Sequence, residues 1–131
     1  MKKWSILAMS ATLSLSLVSS GVLANETLGT GEDYYFTNHN SRVMDVTDTS
    51  AYLWAFTEGG GRDLSYVRVY SYFYVNGIMV KADYTNDPTY ASIDYDASAT
   101  RLLKAKITSS HYIYNKLGEE KKKVSEDQYP R

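Results

Sequence analysis

Tyrosines recur at every second position in the middle of the chain, and their side chains could form a binding surface. Alternate side chains of a strand point to the same side, so these tyrosines would form one column. Tyrosine offers a large contact area and a hydroxyl group, and it is enriched at protein interfaces. The candidate binding-face residues are Tyr66, Arg68, Tyr70, Tyr72, Tyr74, Met79 and Lys81.

The alternative interpretation of this column is ordinary sheet packing. Aromatic residues favour strands, and cross-strand aromatic pairs stabilise a sheet by roughly 0.2–1 kcal/mol each. Both interpretations stay open at this point, because the pattern does not say whether the tyrosines face solvent or a second layer.

The two histidines, His39 and His111, are the other candidates for chemistry. His39 lies in a predicted turn, and His111 lies on the apolar side of a predicted strand, where we expect a hydrogen-bonded structural role. Ser110 is adjacent to His111, but neighbours on a strand point to opposite faces. The sequence has no cysteine, no Gly-x-Ser-x-Gly motif and no typical metal-ligand spacing. We therefore expect no enzymatic activity, no metal and no cofactor.

A hairpin must position the tyrosine column. An Asn-Gly pair at 76–77 joins alternating runs at 64–75 and 78–85, and this pair is typical of a type I′ turn. The predicted cross-strand pairs are Val75–Ile78, Tyr74–Met79, Phe73–Val80, Tyr72–Lys81, Ser71–Ala82, Tyr70–Asp83 and Val69–Tyr84. This register places the candidate binding residues on one face. It places Val67, Val69, Ser71, Phe73, Val75, Ile78, Val80, Ala82 and Tyr84 on a core face.

Other alternating runs predict further strands near 34–36, 42–57, 90–96 and 103–113. Within the second run, we expect the aromatic side, Tyr52, Trp54 and Phe56, to face the core. Residues 97–107 also contain good helix formers, so helix and strand stay open there. Five or six short strands separated by turns predict an all-β fold, a small antiparallel β-sandwich or barrel.

The chain divides into four predicted segments. Residues 1–24 read as a signal peptide, with two lysines, a short apolar run and a Val-Leu-Ala cleavage site. Residues 25–33 are small and polar, which predicts a flexible mature N-terminus. The β-domain is expected over 34–115. The charged segment 116–131 has few apolar residues, which predicts a disordered tail.

The composition limits the cellular compartments and the classes of partner that the protein could have. Removal of the signal peptide takes away two lysines and leaves twelve basic and fifteen acidic residues, a net charge of about −3. A nucleic-acid binder would carry a basic patch instead, so we expect no nucleic-acid partner. Hydroxyl residues interrupt the N-terminal apolar run, which argues against a stable membrane span. Export without cysteine favours an extracellular protein of a Gram-positive bacterium.

Several short segments carry a family resemblance. Gly59-Gly60-Gly61 precedes Tyr70-Ser71-Tyr72-Phe73-Tyr74, and then come Lys81-Ala82-Asp83-Tyr84, Lys104-Ala105-Lys106 and Tyr112-Ile113-Tyr114-Asn115. In this order they resemble the small secreted bacteriocins of the lactococcin 972 type. The histidine which that family has before its alanine-containing strand is absent here, and Lys81 stands near its position. The resemblance implies a β-sandwich that engages a cell-wall precursor and blocks septum formation in related bacteria, and it assigns no site residue.

These observations favour a secreted bacterial binding protein. Its expected partner is a cell-envelope component or another protein, and a bacteriocin-like inhibitor is the specific form of this hypothesis. An alternative is an extracellular matrix protein that assembles as a homo-oligomer through open strand edges. A small secreted enzyme is the third and least favoured interpretation.

Overall fold

The computed structural model of the protein describes residues 31–131, which form seven β-strands and no helix. The predicted signal peptide, 1–24, and residues 25–30 lie outside the described residues. The strands are β1 (Tyr35–Met44), β2 (Ser50–Gly60), β3 (Leu64–Val75), β4 (Ile78–Asp87), β5 (Tyr90–Ser98), β6 (Ala105–Asn115) and β7 (Glu120–Tyr129).

The seven strands form two antiparallel sheets that pack face to face. The three-stranded sheet has the order β1-β2-β5, and the four-stranded sheet has the order β4-β3-β6-β7. The prediction of an all-β sandwich is confirmed, with one strand more than expected. Residues 97–107, where helix and strand were both open, contain the end of β5 and the start of β6.

Aliphatic side chains from both sheets fill the space between them. Phe73 and Ile107 from the four-stranded sheet and Leu53 from the three-stranded sheet have no exposed surface. Val67, Val69, Phe73 and Val75 of β3 all point inward, as the alternation predicts. The sheets approach closely at Gly59, where a Cβ atom would lie 2.9 Å from Val67 Cγ1.

The predicted orientation of β2 is wrong. Leu53, Ala51 and Ala55 face the interior, whereas Trp54 and Tyr52 lie on the outer side of the three-stranded sheet. Both sides of β2 are apolar, so alternation alone could not identify the inner one. The bulky side chains of the opposite sheet leave room for alanines rather than for a second aromatic layer.

The predicted hairpin turn is confirmed, but its register is wrong beyond the second pair. Asn76 and Gly77 have positive φ angles of 51° and 82°, and Val75 pairs with Ile78. A β-bulge at Val80 then shifts the pairing by one residue. The observed pairs are Tyr74–Met79, Phe73–Lys81, Tyr72–Ala82, Ser71–Asp83, Tyr70–Tyr84 and Val69–Thr85.

The bulge changes which side chains of β4 share a face with β3. Cross-strand partners lie on the same face of a sheet, so Tyr84 joins the tyrosines and Lys81 leaves them. Ile78 and Val80, which were predicted to be in the core, are 68% and 43% exposed. They lie on an edge strand of the wider sheet, so fewer neighbours cover them.

The prediction of a disordered tail over 116–131 is wrong, because residues 120–129 form β7. Three lysines of this strand lie over aromatic rings, where cation–π attraction offsets the lack of apolar side chains. Lys121 Nζ lies 4.1 Å from the centre of the Tyr34 ring and donates a 2.8 Å hydrogen bond to the Tyr34 carbonyl. The other two pairs are Lys122 over Tyr112 and Lys123 over Phe36.

Side chains join β7 to β1 along a seam between the sheets. The Asp127 carboxylate accepts a 2.8 Å hydrogen bond from the Val43 backbone N–H, and the hydroxyls of Ser125 and Ser41 are 2.6 Å apart. Residues 31–33, the end of the segment predicted to be flexible, are also fixed. The Gly31 carbonyl accepts a hydrogen bond from Asn115, and Asp63 accepts one from the Asp33 N–H.

Candidate functional site

The outer side of the four-stranded sheet carries most of the candidate binding residues. Tyr66, Arg68, Tyr70, Tyr72 and Tyr74 lie along β3 and point away from the core, as the sequence predicts. The registers add Tyr84 from β4 and two tyrosines from β6. We call this surface the tyrosine face, and it consists of Tyr66, Arg68, Tyr70, Tyr72, Tyr74, Tyr84, Tyr112 and Tyr114.

The rings of the tyrosine face pack against one another across the strands. Tyr66 stacks on Tyr114 with 4.4 Å between ring centres and 16° between ring planes. Tyr70 stacks on Tyr84 at 5.9 Å and 10°, and it meets Tyr72 at 5.1 Å in a tilted arrangement. These contacts fix the orientation of the rings before any partner arrives.

Arg68 lies at the centre of the array. Its guanidinium carbon is 4.9 Å from the centre of the Tyr84 ring and 5.6 Å from that of Tyr114. Its Nε donates a 2.7 Å hydrogen bond to Asn86 Oδ1, which fixes the plane of the guanidinium group. Among the described residues, no carboxylate pairs with Arg68. The guanidinium group is therefore held by two ring faces and by the Asn86 amide.

The tyrosine face combines a buried centre with exposed margins. Tyr70 and Tyr112 are only 3% and 1% exposed, whereas Tyr84 is 43% exposed. Burial raises the pKa of Tyr72 to about 12, with a further contribution from the neighbouring Tyr70, and it also raises the pKa of Tyr114. Both phenols are protonated at neutral pH, and the Tyr114 hydroxyl donates a 2.8 Å hydrogen bond to the Glu120 carboxylate.

Two of the predicted binding residues lie apart from this array. Met79 pairs with Tyr74 beside the hairpin turn and is 40% exposed, so it lies at the end of the tyrosine face. Lys81 pairs with the core residue Phe73, so its inclusion in the binding face is wrong. The reason is the bulge at Val80, which reverses the alternation of β4 after Met79.

Sequence reasoning missed three members of the face. Tyr84 was assigned to the core because the predicted register lacked the bulge. Tyr112 and Tyr114 lie on a strand that was correctly expected, but alternation does not reveal which strands are neighbours. The pairing of β6 with β3 brings them beside Arg68 and Tyr66.

A second aromatic row lies on the outer side of the three-stranded sheet. Phe56 stacks between Trp54 and Tyr90, with ring centres 4.9 Å and 5.6 Å away. Tyr52 extends this side and donates a 2.8 Å hydrogen bond to Asp94, which helps to raise the pKa of Tyr52 to about 12. Within residues 31–131, the cation–π contacts of arginine involve Arg68 on the tyrosine face and none of the rings in this row.

Beneath the tyrosine face, a chain of hydroxyl groups runs through the core. His111 has no exposed surface, and its two ring nitrogens lie 2.8 Å from Thr57 Oγ1 and 2.7 Å from Ser125 Oγ. The chain continues from Ser125 to other serines through Oγ–Oγ distances of 2.6–2.7 Å. We call this group the His–Ser network, and its members are Ser41, Thr57, Ser71, Ser109, His111 and Ser125.

The hydroxyls of the His–Ser network each contact more than one partner. The Ser41 hydroxyl donates to Ser109 and also lies 2.6 Å from Ser125 Oγ. The Thr57 hydroxyl donates to the Arg68 carbonyl, 3.0 Å away, and also lies 2.8 Å from His111 Nδ1. Each imidazole nitrogen can donate or accept according to the tautomer, so the network holds the ring from both sides.

Burial holds His111 in its neutral form. Desolvation, with a smaller contribution from the charge of His39, lowers its pKa from 6.5 to about 4. The ring centres of the two histidines are 5.0 Å apart. The neighbour of Nδ1 is a threonine rather than a carboxylate, and the imidazole is enclosed by the core. The arrangement matches the structural role that the sequence predicts for His111 and lacks the carboxylate of a catalytic triad.

Across residues 31–131, no group of three or more histidine, aspartate or glutamate side chains is placed to hold a metal ion. No helix in the same part of the chain could cross a membrane.

Comparisons with known proteins give structural likeness only. No family model matches the chain, and no curated protein matches it. Ten solved chains match it in structure. One is the crystal structure of a protein from Archaeoglobus fulgidus, with a TM-score of 0.35 and 15% identity over 72% of this chain and 96% of that chain. A likeness at this level carries no argument about function.

Proposed function

We propose that this chain is a secreted bacterial binding protein that engages a cell-envelope component through the tyrosine face. The observation that carries the proposal is the ordered array of seven tyrosines around Arg68 on the outer side of the four-stranded sheet. This side faces away from the three-stranded sheet, and its margin is accessible at Tyr84, which is 43% exposed. The family resemblance adds a specific activity, growth inhibition of related bacteria.

The rings of the tyrosine face are already ordered before a partner binds, which lowers the free-energy cost of binding. Immobilising a flexible side chain on binding costs about 0.5–1.5 kcal/mol, and stacked rings have already lost this freedom. Tyrosine and arginine also dominate the residues that contribute most to binding at interfaces. An exposed ring such as Tyr84, beside the fixed guanidinium of Arg68, is therefore the expected centre of the contact.

A matched pair of variants tests the proposal. Tyr84→Ala removes a ring from the tyrosine face, and Tyr90→Ala removes a ring of nearly equal exposure, 43% against 41%, from the other sheet. Binding to purified bacterial envelopes is measured by cosedimentation, and growth inhibition is scored on a panel of Gram-positive species. We expect Tyr84→Ala to weaken envelope binding at least tenfold, while Tyr90→Ala leaves it unchanged. Equal effects of the two variants would refute a role for the tyrosine face.

One observation favours a second candidate function, assembly through strand edges. β4 is an edge strand, and Ile78 and Val80 near its start are 68% and 43% exposed. Unpaired edges with apolar side chains favour pairing with another chain. Sedimentation velocity over a hundredfold range of concentration tests this candidate: a matrix protein would form growing oligomers that Val80→Lys disperses, whereas a constant monomer would exclude it.

A further inference from the structure

A cavity of about 430 Å³ opens where the hairpin turn, the start of β6 and the end of β7 meet. Its lining combines two lysines, two tyrosines and one amide, and the residues used here are Tyr74, Lys104, Lys106, Gln128 and Tyr129. Tyr74 belongs also to the tyrosine face, so the cavity lies at one end of that surface.

The lining of the cavity contains two lysines and no carboxylate. In the described part of the chain, neither Lys104 nor Lys106 forms an ion pair with a carboxylate. Asp127 points to the inner side of the sheet, where its carboxylate accepts the Val43 N–H, and Glu126, on the outer side of β7, is not part of the lining. Two ammonium groups in the lining favour an anionic ligand.

The aromatic residues of the lining indicate the second chemical feature of the ligand, beside its negative charge. Tyr129 is 42% exposed, and Lys106 Nζ lies 5.8 Å from the centre of the Tyr74 ring. A tyrosine ring provides an apolar face with a polar tip, which suits the C–H face and hydroxyl groups of a sugar. The Gln128 amide adds both a donor and an acceptor.

The turn residue Asn76 holds the backbone of Lys104 in place. The Asn76 side-chain oxygen accepts hydrogen bonds from the Leu103 and Lys104 N–H groups at 2.7 Å and 3.0 Å, and its Nδ2 donates to the Arg101 carbonyl at 2.9 Å. The backbone N–H of Asn76 also donates to the Lys104 carbonyl. One wall of the cavity is thus fixed before a ligand binds, which lowers the cost of binding.

From this geometry we propose that the cavity binds an anionic sugar, a hexose ring that carries a phosphate or carboxylate group. The lysines hold the anion, and Tyr74 and Tyr129 contact the ring. The inference rests on the proposed function, because it specifies the chemistry of the envelope component: an acidic glycan whose charged sugar enters the cavity.

The test is an NMR titration of ¹⁵N-labelled protein with four probes: glucose 6-phosphate, glucuronate, glucose and inorganic phosphate. We expect both anionic sugars to shift the backbone signals of Tyr74, Gly77, Ala105 and Tyr129, and to bind at least tenfold more tightly than glucose or inorganic phosphate. Raising the salt concentration should weaken their binding, because the lysine contacts are electrostatic.

Two lysine variants and one matched control sharpen the result. Lys104→Gln and Lys106→Gln should each weaken the binding of glucose 6-phosphate at least tenfold. The control Lys122→Gln should leave this binding unchanged, because Lys122 lies on the same sheet but over the Tyr112 ring, away from the cavity. The inference is overturned if no probe binds, if glucose or free phosphate binds as well as the sugar phosphate, or if the control variant has the same effect.

Failure of this inference can be told apart from failure of the proposed function. If Tyr84→Ala abolishes envelope binding while no anionic sugar binds the cavity, the tyrosine face stands and the cavity proposal is wrong. If the sugars bind the cavity but the wild-type chain does not bind bacterial envelopes, the proposed function is wrong and the cavity is a small-molecule site only.

Discussion

The four-stranded sheet carries a polar group within its otherwise apolar inner face and an aromatic array on its outer face. On β6, the inner side carries Ser109 and His111 in hydrogen bonds, while the outer side carries Tyr112 and Tyr114 in ring contacts. The inner groups are polar, enclosed and fully partnered. The outer groups are aromatic and extend to an exposed margin. The comparison teaches that polar side chains can specify the core while aromatic ones shape the surface, provided that each polar atom has a partner.

The largest loss of stability is expected from a substitution at His111, in the centre of the inner face. His111→Ala removes a buried ring and takes one hydrogen-bond partner from each of Thr57 and Ser125, so the free energy of unfolding should fall by about 3 kcal/mol. Urea denaturation at pH 7 measures the loss. A loss below about 1 kcal/mol would mean that the network contributes little to the fold.

The pH dependence of stability should follow from the same residue. The pKa of His111 is about 4 in the folded protein and near 6.5 in the unfolded chain, so the unfolded state binds the proton more readily. The stabilisation is complete above pH 6.5 and is lost as the pH falls towards 4, by about 3 kcal/mol. The lowered pKa of His39 acts in the same direction.

Urea titrations at pH 7, 5.5 and 4 measure this slope, and His111→Asn is the control in which most of it should disappear. An unchanged slope in that variant would assign the acid sensitivity to other groups, such as Asp127. The pKa of Asp127 is lowered by its hydrogen bonds to Val43, Arg131 and Gln128, despite its partial burial.

Two adjacent serines of β6 allow the same substitution, serine to alanine, to be made on the inner and on the outer face of the sheet. Ser109 is 4% exposed and bonds to Ser41 and Ser71, whereas Ser110 points to the outer side. Ser109→Ala should lower the free energy of unfolding by about 1–2 kcal/mol, and Ser110→Ala should change it by about 0.5 kcal/mol or less. Similar losses from both variants would remove the distinction between the faces.

A modest effect on stability is expected at the outer margin, at Tyr84. Tyr84→Ala loses one stacking contact with Tyr70 and one cation–π contact with Arg68, so it should lower the free energy of unfolding by about 1–2 kcal/mol. Thermal denaturation measures this cost. A larger loss would show that the tyrosine face serves mainly to hold the sheet together, as the sheet-packing interpretation holds.

The sequence was sufficient where a local rule determined the structure. The Asn-Gly turn, the inward side of β3 and the all-β class all follow from alternation and turn chemistry. The shared column of tyrosines on β3 follows from the same alternation. Each of these predictions depends only on residues that are close in the chain.

The sequence-based predictions failed where the structure depends on contacts between residues that are distant in the chain. The bulge at Val80 has no glycine or proline to mark it, and it moved Tyr84 and Lys81 to the opposite faces. The inner side of β2 depends on the size of the side chains in the other sheet. Segment 116–131 lacks apolar residues, yet its lysines find the aromatic rings of Tyr34, Phe36 and Tyr112. None of these partners is adjacent in sequence.

The seam between β1 and β7 constrains the order of folding during synthesis. It joins the first strand of the described domain to the last, through Ser41 with Ser125, Val43 with Asp127, and Tyr34 with Lys121. The sandwich therefore cannot close until residues 120–129 have left the ribosome.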